Sequence, residues 1–333
     1  MKQSFFKLFF AISFLLTNST IAQYTDIINS NKPGFSESPY SVGSGVYQFE
    51  SNFFTKNTNI SPIFSKPQSL GIDVLFRTSF FLERLEFNTQ ITYQKDKVAF
   101  NNIFTSHYFN SGISKLTVGA KYLLFEPTYT DKSKEVRSWK KRNAFDYKRF
   151  IPSVAIYLGV NTDFINSIYQ TNKVSPKIGV LLQQNLTNDF NIISNIFYDK
   201  AGTEFTEISY IITATQNFGE RWSGFLEHQA IIEKYQNNLN FGLGVAYLFS
   251  RNLQVNTSFR SIKEGKSEGF YGGFGVSYRI DKHQDTYKDL NEIESKLKDT
   301  PITRYNNRNR SFFSKIFSVF KKNKRTSRKR KRK

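Results

Sequence analysis

Between Val46 and Ile280 the chain repeats one pattern about twelve times: a segment of roughly ten residues in which apolar and polar side chains alternate, closed by a turn. Successive side chains of a strand point to opposite faces, so each segment suits a sheet with lipid on one side and water on the other. With an export signal ahead of it and no long apolar run within it, the pattern predicts an all-β protein. The expected fold is a transmembrane antiparallel β-barrel of about 12 strands, followed by a short helical or disordered basic C-terminal extension.

The first residues set the compartment. Lys2 and Lys7 flank the start of an apolar stretch, Leu8 to Leu16, which leads to the small-residue cleavage candidate Thr20-Ile21-Ala22. That stretch is too short for a bilayer-spanning helix, which needs about 20 residues, and residues 1–22 are read as a signal peptide. The chain has no cysteine but 18 Tyr and 35 Phe. Its mean hydropathy of −0.46 suits a wall in which only alternate residues meet lipid. A soluble β-sandwich shares that average, and envelope fractionation separates the two.

The clearest strand is Glu83 to Tyr93, with Leu85, Phe87, Thr89, Ile91 and Tyr93 on one face and Glu86, Asn88, Gln90 and Thr92 on the other. Leu70 to Thr78 alternates likewise, and the Phe80-to-Glu83 turn joins the two into a hairpin. Further strands are expected at Val46 to Phe54, Leu116 to Phe125, Phe150 to Val160, Ser175 to Leu186, Phe190 to Tyr198 and Phe205 to Asn217. The last four are Trp222 to Ile232, Leu239 to Phe249, Asn252 to Arg260 and Phe270 to Ile280.

An even strand number puts both chain ends on one side, expected to be the periplasm, where turns are short. The turns at Leu82, Asn188, Gly219-Glu220-Arg221 and Ser250-Arg251 fit, as do long outer loops at Thr55 to Ser69, Gln94 to Lys115 and Asn161 to Val174. Glu126 to Arg149 departs from the rule, being long, basic and on the periplasmic side.

Upstream of the barrel, the run Asn31-Lys32-Pro33-Gly34-Phe35-Ser36-Glu37-Ser38-Pro39-Tyr40, followed by Val42-Gly43-Ser44-Gly45-Val46-Tyr47-Gln48-Phe49-Glu50, resembles the opening motif of the meta-pathway phenol-degradation family of outer-membrane proteins. The strand motif Gly112-Ile113-Ser114-Lys115-Leu116-Thr117-Val118-Gly119-Ala120-Lys121-Tyr122 is similar to an internal motif of that family. The resemblance spans about Asn31 to Ile280 and implies a porin-like barrel passing small organic compounds, with no catalytic residue to carry over. It differs at Asn31-Lys32, where the family pattern has Asp-Arg, and in the basic C-terminal extension.

Residues 23–45 form the expected periplasmic lead-in, held extended by Pro33 and Pro39. It either starts the first strand or plugs the pore. Alternation turns Glu50, Asp73, Arg77, Glu86, Gln90 and Lys121 toward the lumen as pore-lining candidates. Their mixed charges either set a transverse field selecting small polar solutes or interlock into a filling that closes the lumen.

No cofactor or metal site is expected. Of the three histidines, His107 falls in an outer loop, His283 lies beyond the barrel, and Ser223 faces away from His228, so a hydrolase of the outer wall is not supported.

Residues 281–333 form a periplasmic extension. Asp285 to Asp299 carries Tyr287, Leu290, Ile293 and Leu297 at helical spacing, and Arg304 to Lys333 holds fourteen Lys or Arg with no Asp or Glu. An amphipathic element, Ser311 to Phe320, precedes the polyanion-binding candidates Lys321, Lys322, Lys324, Arg325, Arg328, Lys329, Arg330, Lys331, Arg332 and Lys333. Export excludes nucleic acid as their partner. The expected partners are peptidoglycan carboxylates or anionic lipid, beside outer-membrane lipid around the barrel and a small-molecule solute within it. The alternative function is a structural or docking barrel acting through this tail.

Overall fold

Every strand pairs antiparallel with its successor and the last pairs with the first, so twelve strands close into a barrel without an open edge. The computed structural model describes residues 27–32, 34–60, 68–80, 82–99, 107–129, 146–170, 173–234 and 237–283. The signal segment, Pro33, the core of the basic 126–149 loop and the C-terminal tail lie outside the described residues.

The strands are β1 (Val46–Ile60), β2 (Gln68–Thr78), β3 (Leu85–Ala99), β4 (His107–Phe125), β5 (Ser153–Asn161) and β6 (Ser175–Asn185). They continue as β7 (Phe190–Asp199), β8 (Glu207–Asn217), β9 (Trp222–Glu233), β10 (Asn237–Ser250), β11 (Leu253–Glu264) and β12 (Ser267–Asp281). All twelve segments expected from alternation are present. The first two long loops are shorter than expected, because β1 runs on to Ile60, β3 to Ala99 and β4 starts at His107, whereas the third, between Asn161 and Ser175, is as expected. Lys95, Asp96 and Lys97 pair with Ser111, Asn110 and Phe109, so ladder hydrogen bonds continue where alternation stops.

The wall is apolar outward. Phe49, Phe53, Leu158, Ile196, Leu226 and Phe274 are each exposed by 44% or more on the outer surface. Aromatic contacts gather at the end of the barrel where β1 begins and β12 finishes: Tyr47 with Phe80, Phe49 with Phe76, and Trp222 with Tyr247. Toward the other end Phe259 stacks on Phe270. Between Tyr278 and Phe270 the strand climbs about 20 Å at ordinary rise and tilt, close to the height of a bacterial apolar band.

The interior is polar. Gln48, Glu50, Asn52, Arg77, Glu86, Lys121, Asn195, Glu227, Arg260 and Arg279 are all 2% exposed or less. An apolar patch interrupts it, made by Leu123, Ala155, Tyr157, Leu181, Phe197 and Ile211. A Cβ at Gly119 would collide with the Tyr157 hydroxyl, so the ring crosses the wall only because β4 carries glycine there.

Candidate functional site

The lead-in of residues 27–45 does not merely begin β1: it runs through the barrel and fastens to the wall on nearly all sides. On the β1–β4 side, Glu50 Oε2 accepts from Ser30 Oγ at 2.8 Å and from the backbone N–H of Asn31 and Lys32, each at 2.9 Å. The Lys32 ammonium pairs with Asp73, whose carboxylate also accepts from Gln90 Nε2 and Thr92 Oγ1. Val42 N–H donates to Glu86 Oε2 at 3.0 Å, and Lys121 Nζ donates to the Ser38 carbonyl at 2.8 Å.

Arg77 ties these anchors together. Its guanidinium forks onto Glu86 at 2.8 and 3.0 Å, reaches Glu50 at 2.9 Å and donates to the Asn29 carbonyl at 2.8 Å. Lys121 meets Glu86 at 3.0 Å. The structure therefore brings the six residues expected to face the lumen into one network, with three carboxylates against three cations once Lys32 is added. Charges buried this deeply persist only when paired and hydrogen-bonded, and each here has both. Of the two expectations for these side chains, the interlocked filling describes this side of the lumen.

On the opposite side Glu227 of β9 receives the plug. Its carboxylate accepts from Phe35 N–H at 2.9 Å and Ser36 N–H at 3.2 Å, from Thr213 Oγ1 at 3.0 Å, and from Arg260 Nη2 at 2.9 Å. The Arg260 guanidinium lies 3.6 Å from the centre of the Phe35 ring. Asn195 of β7 grips the Glu37 peptide twice, accepting from its N–H at 2.7 Å and donating to its carbonyl at 2.8 Å. Tyr40 OH meets Ser153 Oγ and Asn185 Nδ2 at 2.7 and 3.0 Å.

The plug leaves space on two sides of it. At the barrel end where β1 begins and β12 finishes, a cavity of about 450 Å³ lies between Ile27–Ser30 and the inner faces of β7 to β11. Beyond the plug, a second cavity of about 360 Å³ is bounded by Phe35, Glu37, Lys115, Lys177, Phe197 and Tyr271. A neck of about 80 Å³ at Gly34, Ser36, Thr213 and Gly224 shares lining residues with both.

Residues 30–280 match the protein family described as "Putative MetA-pathway of phenol degradation". The chain belongs to this family. Among solved structures, a channel of the outer membrane from Pseudomonas putida F1 superposes with a TM-score of 0.51 at 10% identity, over 75% of this chain and 99% of that one. The KdgM porin is matched at a TM-score of 0.43 and 8% identity, over 70% of this chain and 99% of the porin. The CymD monoaromatic hydrocarbon channel is matched at 0.39 and 9%, over 73% and 90%. Among curated proteins none matches.

This phenol-degradation family member thus has the closed β-barrel fold of outer-membrane channels, with the described residues of 27–45 in its lumen. Sequence reasoning left Glu227, Arg260, Asn195, Lys115 and Lys177 unassigned. Alternation carried past β4 would have turned Glu227, between outward Leu226 and His228, into the lumen. On the outer wall His228 Nε2 lies 3.3 Å from the Tyr210 hydroxyl rather than beside a serine. The polyanion-binding candidates of the tail lie outside the described residues.

Proposed function

We propose that this protein is a channel of the outer membrane that passes small organic molecules through its lumen, past the plug, and does no chemistry on them. The observation that carries this reading is the string of cavities, about 450, 80 and 360 Å³, in which the smallest shares lining residues with each of the larger two. Ser36, which lines the neck, is held by a hydrogen bond from its N–H to Glu227, so on this reading a displacement of residues 34–36 widens the passage between the two larger spaces. β1 begins and β12 finishes at the same barrel end, which this reading assigns to the periplasm.

Planar-bilayer recording of the refolded mature barrel tests it. Stepwise current is expected, and silence from a barrel proven folded by heat-modifiable gel mobility overturns it. The alternative, a docking barrel, is supported by the fourteen cations and no carboxylate of Arg304 to Lys333. Truncation after Ile280 separates the two, since a docking role requires loss of peptidoglycan or anionic-vesicle pull-down.

A further inference from the structure

The cavity beyond the plug is lined by a lysine, Lys115, that makes no direct ion pair among the described residues. Each of the other lysines around it has a carboxylate: Lys32 pairs with Asp73, Lys56 with Glu264 at 2.5 Å, and Lys177 stands 3.9 Å from Asp199. Glu207 is taken by Lys200 at 3.1 Å, and Asp199 already accepts from Asn161 Nδ2 at 2.6 Å and from Lys200 N–H at 2.7 Å. Among the described residues Lys115 has neither an ion pair nor a hydrogen bond; Asp199, Asp73 and Glu207 act on it only from a distance, and Lys177 on the same cavity opposes it. Two ammoniums lining one half-buried cavity repel each other, and an anion between them relieves that repulsion.

Backbone geometry aims this lysine. An extra residue, Ser114, bulges from β4 opposite the Thr92/Tyr93 step of β3. The bulge turns the alternation over directly above Lys115, so Ile113 faces outward while Lys115 keeps the inward face of Thr117 and Lys121. The rest of the lining is mixed, with Glu37, Gln90, Gln229 and Asn240 on it as well as a group of apolar side chains beside Lys177. Lys177 Nζ stands 4.4 Å from the Phe197 ring centre, Phe35 and Tyr271 meet edge to face at 5.7 Å, and Leu75, Ile211 and Ile262 fill in around them. A volume of about 360 Å³ is in the range of small-molecule sites.

We propose that this cavity binds a small monocarboxylate with an aromatic or aliphatic body, its carboxylate between Lys115 and Lys177 and its body against Phe197. Two lysines, one of them partly satisfied by Asp199, match a single negative charge better than a dianion, and the Phe197, Ile211 and Tyr271 side chains beside them give an apolar body a surface to pack on. The inference rests on the channel reading only in taking this cavity as open to solute. An anion held here would also fill the wider side of the lumen, just beyond the Glu227 neck.

Isothermal titration of the full-length, detergent-solubilised protein tests the site with benzoate, benzyl alcohol, benzylammonium and acetate. Benzoate is expected to saturate one site, with benzyl alcohol, acetate and benzylammonium each at least about tenfold weaker. Lys115→Met is expected to weaken benzoate by about tenfold or more and to leave benzyl alcohol unchanged, with Lys177→Gln giving a smaller loss. Benzoate binding no tighter than benzyl alcohol, a preference for benzylammonium, no benzoate binding at all, or indifference to Lys115→Met overturns the proposal. Conductance of the same preparation is read separately. Binding without current sinks the channel and leaves the site standing, whereas current without binding sinks the site alone.

Discussion

Glu227 and Arg260 face each other across the lumen side of β10, the Glu227 Oε1 to Arg260 Nη2 distance being 2.9 Å with both side chains 1% exposed. The same carboxylate holds the plug through two backbone N–H groups. One residue therefore joins wall neutrality to plug position, and it does so through Ser36, which lines the neck between the two large cavities.

Glu227→Ala removes both functions at once. Hydrogen bonds to a charged acceptor contribute about 1.5–3 kcal/mol each, and losing two of them should free residues 34–36 from the wall. Larger or more frequent conductance steps than wild type are expected in planar bilayers. Glu227→Gln keeps the amide acceptor but not the charge, so its current should fall between the two. Identical traces for all three proteins would show that the plug is held elsewhere.

Arg77→Met strips the shared partner from Glu50 and Glu86, both fully buried. Removing one member of a buried charged network typically costs about 3–5 kcal/mol, because the remaining carboxylates stay desolvated. The refolded barrel is expected to lose heat resistance, read as a lower temperature for the mobility shift on gels. Arg77→Lys should recover only part of it, since an ammonium cannot fork onto Glu86 while reaching Glu50 and the Asn29 carbonyl.

How much of this was legible beforehand follows from what leaves a trace in sequence. Strands such as Leu85 to Tyr93 declared themselves because lipid on one face and a polar lumen on the other force a period of two. Above the membrane that contrast fades. Lys95 to Lys97 and Asn110 to Ser111 are polar on both faces, so the upper β3–β4 hairpin read as loop although its ladder continues. The bulge at Ser114 gave no warning either, since one inserted residue looks like ordinary noise in alternation. Inside the barrel Glu50, Arg77 and Glu86 were found because a charge on an alternating strand has only one favourable side. What Glu50 binds was not legible: its partners are the backbone N–H groups of Asn31 and Lys32, which every non-proline residue possesses.

Gly119 and Tyr157 form a second pair open to test. The Tyr157 ring lies against Gly119 and its own neighbour Gly159, with its hydroxyl donating to Asn88 at 3.3 Å. A methyl at position 119 meets that ring, and overpacking of this kind costs about 1–3 kcal/mol. Gly119→Ala should lower heat resistance, and the added change Tyr157→Leu should restore part of it. Additive losses in the double variant would mean that the two sites do not touch in solution.

Lys32 and Asp73 offer a direct test of whether the plug is held by charge. Lys32→Asp places two carboxylates together inside the barrel, close to Gln90 and Thr92, which already donate to Asp73. Asp73→Lys does the converse with two ammoniums. Either single reversal turns an attraction into a repulsion in a poorly solvated site, so each should displace the plug and raise conductance. The double reversal restores opposite charges at the same two positions. Because the Lys32 backbone N–H, not its side chain, bonds Glu50, the swap leaves that anchor in place. Wild-type conductance is therefore expected to return in the double variant. If it stays as high as in the single variants, the hydrogen bonds around Asp73, rather than its ion pair, hold residues 30–32 in the lumen.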